Sequence, residues 1–466
     1  MQSEPGMEST NEIQIRFLDG TLLITGLAED IASRIPFLVY DKRVSAFRAE
    51  AIHYRELVEL FVNEKVVYKD NAKEYVPYRL ELKDSRKPFA YQTEALESWW
   101  KARGRGVVIL PTGTGNTFLA ILAIWKSTRP TMVITPTIDL MNQWYQVLEA
   151  AFQVPVGMIG GGSHDLKPLT VTTYDSAHIH LGKWGNKAGL VVFDECHHLP
   201  GPLYSTIARG SLAPYRLGLS ATPERSDGQE TLLDELIGPI CFRKEIGEFK
   251  GEFLANYESK RVFVELEPSE LTTYQESRKT YRDYLNRKGI NLGMPNGWAR
   301  FLFEGGRSEE GRKAIEAFRI QKKIAFHAEA KIEKLKELLL KHREDPSIIF
   351  CSDNQKVYEI SRKLLIPAIT HETKARERRG ILERFKSGVF SAIVTNKVLN
   401  EGVDVPSARV GIILSGSGTV REHVQRLGRI LRKHKDKEAV LYEIITRNTS
   451  EEYTSDRRRQ HDAYRQ

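Results

Sequence analysis

The sequence predicts an α/β protein with two parallel-sheet domains, a small α+β unit before them and a helical insertion between them. The chain has 466 residues, which is too long for one hydrophobic core. Between Arg86 and Arg243, apolar strand-like runs alternate with helical stretches, as in a doubly wound parallel sheet. The alternation stops in the polar, tyrosine- and arginine-rich residues 244–325 and then returns.

The first element, Glu12–Asn71, mixes short alternating runs with an amphipathic helix around Tyr54–Asn63. Alternation with a period of two predicts half-buried strands, so this segment is interpreted as a small α+β unit. The predicted domains are 1–83 for this unit, 84–245 for the first α/β domain, 246–325 for the insertion, 326–447 for the second α/β domain and 448–466 for a basic, frayed tail.

In the first α/β domain the predicted strands are VVIL, TMVIT, LTVTT, LVVFDE and YRLGLSAT, with helices over Thr117–Lys126 and Leu140–Phe152. In the second domain they are SIIFCS, PAITH, SAIVTN, VGIILSG and AVLYEII, with helices over Gln355–Leu364, Lys374–Lys386 and Val420–Leu431. Between Gln275 and Lys323, in the insertion, twelve Lys or Arg stand against six Asp or Glu. This excess is either a solvated helical face or a surface for a polyanion.

Composition excludes several classes of protein. No run approaches the roughly 18–20 apolar residues of a membrane helix, and the polar first residues show no secretory signal. The three cysteines are far apart, which argues against a zinc site, an iron–sulfur cluster or a disulfide framework. They favour a reducing compartment, and we expect a cytoplasmic protein. The net charge of +8 leaves nucleic acid as one class of partner.

A strand runs directly into PTGTGNT and then into a helix, the context that a phosphate-binding loop requires. Glycines let backbone N–H groups point inward, and Thr117 is placed to hold Mg²⁺. The pattern GxxxxGK[ST] is broken twice, by Leu110 at the first glycine and by Asn116 at the lysine. The candidate phosphate-binding residues are Thr112, Gly113, Thr114, Gly115, Asn116 and Thr117.

Two further motifs carry charge that phosphoryl transfer needs. Asp194 and Glu195 end a third apolar strand, where an Asp can hold Mg²⁺ and a Glu can orient and deprotonate water. In QRLGRILR, the residues Gln425, Arg429 and Arg432 share one helical face, as a charge clamp on a γ-phosphate would require.

The ordered motifs YQ, PTGTGNT, TPTIDLMNQW, TTYDSAH, DECHH, SAT, IIFCSD, NEGVDVP and QRLGRILR resemble those of a superfamily 2 helicase across nearly all of 88–432. Within it the chain is most similar to the XPB family of DNA repair helicases in its short archaeal form. The phrases DECHH, LGLSATPERSDG and YDKRVSAFRAEAIHYRELVELF carry this resemblance, and the last is similar to the family's damage-recognition domain.

The resemblance implies two RecA-like motor domains, ATP and Mg²⁺ as cofactors, and forked or damaged duplex DNA as substrate. It implies a 3′ to 5′ polarity and a role in nucleotide excision repair, beside a structure-specific nuclease and, in an archaeon or bacterium, at the nucleoid. The insertion is placed like the family's thumb, a helical pair that grips DNA. The implied roles are adenine contact for Gln92, domain coupling for Ser220 and Thr222, a place at the interdomain cleft for Gly402 and Asp404, arginine fingers for Arg429 and Arg432, and DNA contact for Arg278, Lys279 and Arg282.

Two departures from the family pattern bear on activity. Its Arg–Glu–Asp motif, tied to strand opening, stands here as Arg225, Ser226 and Asp227, which favours duplex translocation over strand separation. Asn116 replaces the full charge of a lysine with a neutral amide, so the sequence predicts weak ATP binding and crippled hydrolysis. The alternative is a non-catalytic DNA clamp that positions a nuclease. An RNA helicase or a restriction translocase is disfavoured by DECHH and the N-terminal unit.

Overall fold

The computed structural model describes residues 12–225, 227–249, 256–294, 296–396, 408–416 and 438–459. Within them the predicted class is confirmed, with two mainly parallel sheets and a smaller mixed one. The chain divides into two compact units, Met1–Lys244 and Glu245–Gln466.

The N-terminal part of the first unit is the predicted small α+β fold. Its five strands form one sheet in the order β3-β4-β2-β1-β5, and its long helix packs Leu57 and Phe61 into the core. The elements are β1 (Ile13–Leu18), β2 (Thr21–Thr25), α1 (Glu29–Ala32), β3 (Val39–Asp41), β4 (Ala46–Glu50), α2 (Tyr54–Asn63) and β5 (Tyr68–Asn71).

This small fold is bonded to the rest of the first unit. The Arg55 guanidinium donates to the Pro214 carbonyl at 3.2 Å, and the Asn186 amide donates to the Ala72 carbonyl at 3.0 Å. Arg209 also pairs with Glu50 at 3.0 Å. These bonds therefore hold the N-terminal fold against the first sheet domain.

The rest of the first unit is an eight-stranded sheet with flanking helices. Its order is β13-β6-β12-β11-β7-β10-β8-β9, and its pairs are parallel except for the hairpin β8–β9. The elements are α3 (Ala90–Lys101), β6 (Arg105–Ile109), α4 (Asn116–Ser127), β7 (Thr131–Thr135), α5 (Ile138–Phe152), β8 (Gly157–Gly160), β9 (Ser163–Asp165), β10 (Leu169–Thr173), α6 (Tyr174–Ile179), α7 (Leu181–Trp184), β11 (Leu190–Asp194), α8 (Ser205–Arg209), β12 (Tyr215–Ser220), α9 (Leu232–Leu236) and β13 (Ile240–Arg243).

The central strands of this sheet are apolar because helices cover both of its faces. In β6, the side chains of Val107, Val108 and Ile109 are all buried. Parallel pairing brings the carboxyl ends of β6, β12 and β11 to one edge, with Ile109 paired to Ser220 and Asp194 paired to Leu219. The predicted nucleotide-binding motifs follow these strand ends.

The second unit contains a six-stranded parallel sheet in the order β14-β19-β18-β15-β17-β16. Its elements are β14 (Asn256–Val264), α10 (Pro268–Lys288), α11 (Gly297–Gly306), α12 (Glu309–His327), α13 (Glu329–Lys341), β15 (Ser347–Phe350), α14 (Asn354–Leu364), β16 (Ala368–Ile369), α15 (Ala375–Lys386), β17 (Ala392–Thr395), β18 (Val410–Ile413), β19 (Glu438–Thr446) and α16 (Ser450–Arg459).

Three details of the second unit differ from the sequence prediction. The predicted helical insertion begins with a strand, β14, which pairs along its length with β19. Its helical part has three helices, α10 to α12, around a small core that includes Tyr284 and Phe301. The expectation of a frayed end from 448 is wrong for α16, which is helical. The predicted helix over Val420–Leu431 lies outside the described residues.

In the described part of the chain, no helix is both long and apolar enough to cross a membrane. The same residues contain no cluster of three or more His, Cys, Asp or Glu side chains with the arrangement of a metal site.

Candidate nucleotide-binding site

The loop between β6 and α4 has the backbone of a phosphate-binding loop. Gly113 and Gly115 have φ angles of 90° and 92°, in the left-handed region that side chains other than glycine rarely adopt. A Cβ atom on Gly115 would also lie 2.5 Å from Nε2 of Gln92. Position 115 therefore requires glycine for both backbone conformation and space.

Helix α3 braces this loop from one side. The Tyr91 hydroxyl donates to the Thr114 carbonyl, and Nε2 of Gln92 donates to the carbonyls of Thr114 and Gly115, each at 3.3 Å. Oε1 of Gln92 accepts from the N–H of Phe89 at 3.0 Å, and the side chain is buried. Gln92 thus positions the loop, and its contact with adenine stays a prediction.

Asn116 is the first residue of α4 and folds back onto the loop. Its Nδ2 donates to the Leu110 carbonyl at 3.2 Å. Among the described residues, its Oδ1 is buried without a hydrogen-bond partner, as are Oγ1 of Thr112 and Oγ1 of Thr222. An unpaired buried oxygen costs about 1–3 kcal/mol. Three such oxygens are consistent with a site in which a bound polar ligand supplies the missing hydrogen bonds.

The carboxylate of Asp194, at the end of β11, is held from two sides. Its Oδ2 accepts a hydrogen bond from the Trp144 indole at 2.7 Å, and its Oδ1 accepts from the N–H of Glu195 at 3.1 Å. The backbone carbonyl of Asp194 accepts from the Tyr174 hydroxyl at 3.0 Å. Glu195 has a φ of 48°, a left-handed conformation that is costly for glutamate and typical of functional sites.

Hydrogen bonds and one close contact between a histidine and a carboxylate join the motifs of this site into one network. Nδ1 of His197 lies 3.4 Å from Oε2 of Glu195 and 3.2 Å from Oγ of Ser220. The same Ser220 hydroxyl accepts from the N–H of Thr222 at 3.2 Å, and the Ser220 carbonyl accepts from the N–H of Leu110 at 3.2 Å. The structure therefore brings DECHH, SAT and the start of the phosphate loop together, as the sequence predicts.

Arg225 and Asp227 join the same network from its outer side. Nε and Nη2 of Arg225 donate to the two oxygens of Asp227 at 2.8 and 2.6 Å, and Nη1 donates to the His197 carbonyl at 2.5 Å. The bidentate bond from Arg225 lowers the pKa of Asp227 to about 2, so this carboxylate is ionised at neutral pH. The guanidinium of Arg225 thus links the segment Arg225–Asp227 to the DECHH motif.

The donor set at the loop fits Mg²⁺, which prefers oxygen ligands. Asp194 offers a carboxylate, and Thr117 offers a hydroxyl in the first turn of α4. When bound, Mg²⁺ would neutralise charge on the phosphate oxygens of ATP. Trp144 and Tyr174, which hold Asp194, were not singled out from the sequence. The signal for Trp144 is its place in TPTIDLMNQW, since a buried indole N–H usually finds an acceptor.

The remaining predicted site residues lie in the second unit. Lys279 and Arg282 are exposed on α10, and Arg278 is half-buried there, with Nη1 3.4 Å from the Tyr274 hydroxyl. The predicted residues Gly402, Asp404, Gln425, Arg429 and Arg432 lie outside the described residues, and their roles stay predictions.

Replacing Trp144 by phenylalanine is expected to weaken binding of Mg²⁺–ADP about ten- to a hundredfold. The change removes one hydrogen bond to a charged acceptor, worth roughly 1.5–3 kcal/mol, and keeps most of the packing. Calorimetric titration with ADP, in the presence and absence of Mg²⁺, measures the effect. Without Mg²⁺, ADP should bind the parent chain and Trp144→Phe with equal affinity. The lost hydrogen bond orients Asp194, whose carboxylate is the candidate Mg²⁺ ligand.

Trp184→Phe is the matched control for this prediction. Trp184 is also fully buried, but its indole donates to the Ala177 carbonyl at 2.9 Å, away from Asp194. If Mg²⁺ changed the affinity for ADP by the same factor in Trp144→Phe and Trp184→Phe, Trp144 would contribute packing alone.

Comparison with known protein families places the motifs in three domains. Residues 15–72 match the xeroderma pigmentosum group B helicase damage recognition domain. Residues 85–225 match the res subunit of type III restriction enzymes, and residues 330–434 match the helicase conserved C-terminal domain.

Solved helicase structures share the fold at low sequence identity. The Hef helicase domain of Pyrococcus furiosus aligns with a TM-score of 0.52 and 19% identity, over 79% of this chain and 98% of its own. Dbp5 of S. cerevisiae, bound to RNA and ADP BeF3, aligns with a TM-score of 0.56 and 14% identity, over 80% of this chain and 88% of its own.

Curated relatives give the closer relationship. The DNA 3'-5' translocase XPB2 of Sulfurisphaera tokodaii is 42% identical over 79% of this chain and 84% of its own length. The DNA 3'-5' helicase XPB of Mycobacterium tuberculosis is 28% identical over 79% of this chain, which spans 62% of that relative. The chain therefore belongs to the XPB family of superfamily 2 helicases and translocases.

Proposed function

We propose that this chain is an ATP-dependent DNA translocase and helicase of nucleotide excision repair that moves 3′ to 5′. The observation that supports it most is the network from the phosphate loop through Ser220 and His197 to Glu195. It occurs in a chain 42% identical to a protein named as a DNA 3'-5' translocase. A network of this kind can transmit the state of the nucleotide from the loop to the outer motifs.

In this proposal each residue of the site has a defined role in binding or hydrolysis of ATP. Asp194 and Thr117 hold Mg²⁺, and Glu195 orients and deprotonates the attacking water. Trp144 fixes the carboxylate of Asp194 at 2.7 Å, so its orientation is set before the nucleotide binds. Arg429 and Arg432 are proposed as arginine fingers from their sequence positions.

Asn116 limits the rate in this proposal. Its amide already donates to the Leu110 carbonyl and carries no charge for the β- and γ-phosphates. The loop amides and Mg²⁺ still bind ATP, with an affinity about ten- to a hundredfold below that of a lysine-bearing loop. We therefore propose slow hydrolysis on an otherwise complete site.

The alternative function, a non-catalytic clamp that positions a nuclease, gains no support from the curated relatives above, which are named as translocases and helicases. Of these two activities, we propose duplex translocation as the main one, because Ser226 removes one charge from the Arg–Glu–Asp motif that is tied to strand opening. A structure-specific nuclease as partner and a cytoplasmic, nucleoid-associated location complete the proposal.

Displacement of a triplex-forming strand from duplex DNA tests this function, because it requires movement along the duplex without strand separation. The Asn116→Lys version is expected to displace the third strand with ATP, and its Glu195→Gln derivative should not. Displacement that is independent of ATP, or absent while the lysine version hydrolyses ATP, would contradict translocation.

A further inference from the structure

The orientation of the Asn116 amide in the phosphate loop is set by one hydrogen bond. Nδ2 is the amide atom that faces the Leu110 carbonyl at 3.2 Å, because an amide oxygen in that place would repel the carbonyl oxygen. Oδ1 therefore takes the other position, where it is buried and no donor of the described residues reaches it. A phosphate loop ordinarily carries a lysine ammonium at this position. Here the loop offers an amide oxygen instead.

The phosphates of a nucleotide cannot satisfy this amide oxygen. Phosphate oxygens are acceptors and carry negative charge, so they repel another acceptor at hydrogen-bond distance. The buried hydroxyls of Thr112 and Thr222 differ in this respect, because a hydroxyl can donate directly to phosphate. If the Asn116 amide keeps its orientation when nucleotide binds, a donor or a cation has to lie between Oδ1 and the phosphates.

The Mg²⁺ ion assigned above to Thr117 and Asp194 does not fill this role. Asn116 and Thr117 are the first two residues of α4. Successive side chains of a helix point about 100° apart around its axis. A ligand of the Asn116 amide therefore lies in a different direction from a ligand of the Thr117 hydroxyl.

Two basic side chains near the ends of the loop have carboxylate partners of their own. The N–H of Lys244 donates to the Ile109 carbonyl at 3.0 Å, but its Nζ lies 3.8 Å from Glu94. Nε of Arg86 donates to both oxygens of Asp84, at 3.0 and 2.9 Å. Neither side chain is therefore directed at the place of the missing lysine.

We propose that a monovalent cation, K⁺, binds between Oδ1 of Asn116 and the β- and γ-phosphates of the nucleotide, and supplies part of the charge that a lysine would bring. The inference rests on the proposed function, which makes ATP the ligand. Neutral oxygens can hold K⁺ by replacing its hydration water, and Oγ1 of Thr112 is a second neutral oxygen of the same loop. Mg²⁺ gives up its water reluctantly and is usually bound through carboxylates.

This cation binds together with the nucleotide. The amino end of α4 carries partial positive charge, which disfavours a cation that arrives alone. The phosphates supply the opposing negative charge, so K⁺ and the triphosphate each raise the affinity of the chain for the other. Because K⁺ has no covalent stem to fix its position, it replaces only part of the effect of a lysine. This agrees with the slow hydrolysis proposed above.

The test is the affinity of the chain, without DNA, for the β,γ-imido analogue of ATP with Mg²⁺, measured by calorimetric titration. Potassium chloride is compared with tetramethylammonium chloride at equal ionic strength, because the methyl groups of tetramethylammonium keep oxygen ligands away from its charge. The parent chain should bind the analogue about tenfold more tightly in potassium, the lower end of what a charge-assisted contact contributes.

Two substitutions assign this effect to Asn116. In Asn116→Lys the covalent ammonium takes the place of K⁺, so the affinity should be high and the same in both salts. Asn116→Leu has a similar shape and no oxygen, so it should bind the analogue weakly and equally in both salts. Thermal melting shows whether each variant is folded. The comparison of the parent with Asn116→Lys decides the question even if Asn116→Leu does not fold.

The outcomes separate this inference from the proposed function. If the parent binds the analogue equally in both salts while Asn116→Lys binds it more tightly, the inference is overturned and the function stands. The amide of Asn116 then turns toward the phosphates or holds a water molecule. A potassium effect of the same size in Asn116→Lys places the cation elsewhere and also overturns the inference. If neither chain binds the analogue in either salt, the proposed function fails as well.

Discussion

Replacing Asn116 by lysine is expected to raise the DNA-stimulated ATPase rate by on the order of 10²–10³. The lysine brings a full charge on a long stem to the β- and γ-phosphates, where negative charge develops during transfer. The asparagine amide instead reaches back 3.2 Å to the Leu110 carbonyl. Losing that neutral bond costs roughly 0.5–1.5 kcal/mol, less than the gain. Steady-state hydrolysis with and without forked duplex DNA measures the change.

Asn116→Gln is the matched control, because it lengthens the amide and adds no charge. It should remain as slow as the parent chain. If the parent and the lysine version hydrolyse ATP equally, the loop works without its lysine and the argument from charge is wrong. If neither hydrolyses ATP while both bind DNA, the clamp becomes the better function.

The strands and helices around the candidate site could be predicted from the sequence. A sheet that is buried on both faces requires continuous apolar runs in its strands, and such runs are easy to recognise. The run TMVIT is entirely buried as β7, and the predicted helix after the phosphate loop differs from α4 by one residue at each end. The hairpin β8–β9 was missed because it is short and turns through Gly161 and Gly162, with few apolar residues to mark it.

Contacts between distant residues explain the other omissions. The motif TPTIDLMNQW contains Trp144, but only the fold shows that its indole meets Asp194, fifty residues away. Helix α16 has the polar sequence SEEYTSDRRR, which carries no apolar stripe. It is held instead by Glu451, which is buried against a lysine 120 residues earlier. Local sequence does not encode such pairings.

That buried ion pair gives the largest stability effect that we expect. Lys331 and Glu451 are 1% and 2% exposed. Nζ of Lys331 donates to both carboxylate oxygens of Glu451, at 2.7 and 2.6 Å, and to the Leu414 carbonyl at 2.7 Å. Glu451 also accepts from the N–H of Thr446 at 2.9 Å. The pair thus ties α13 and α16 to the ends of β18 and β19.

Lys331→Met is expected to lower the free energy of unfolding of the second unit by about 3–5 kcal/mol, because it leaves a carboxylate buried without its cation. Lys334→Met, on the same helix, removes an exposed pair with Glu337 and should cost less than about 1 kcal/mol. Urea unfolding of the full chain measures both. In Lys331→Met/Glu451→Leu no charge remains buried, so much of the stability should return. A double variant as unstable as the single one would mean that the geometry of these bonds, rather than charge compensation, holds α16 to the sheet.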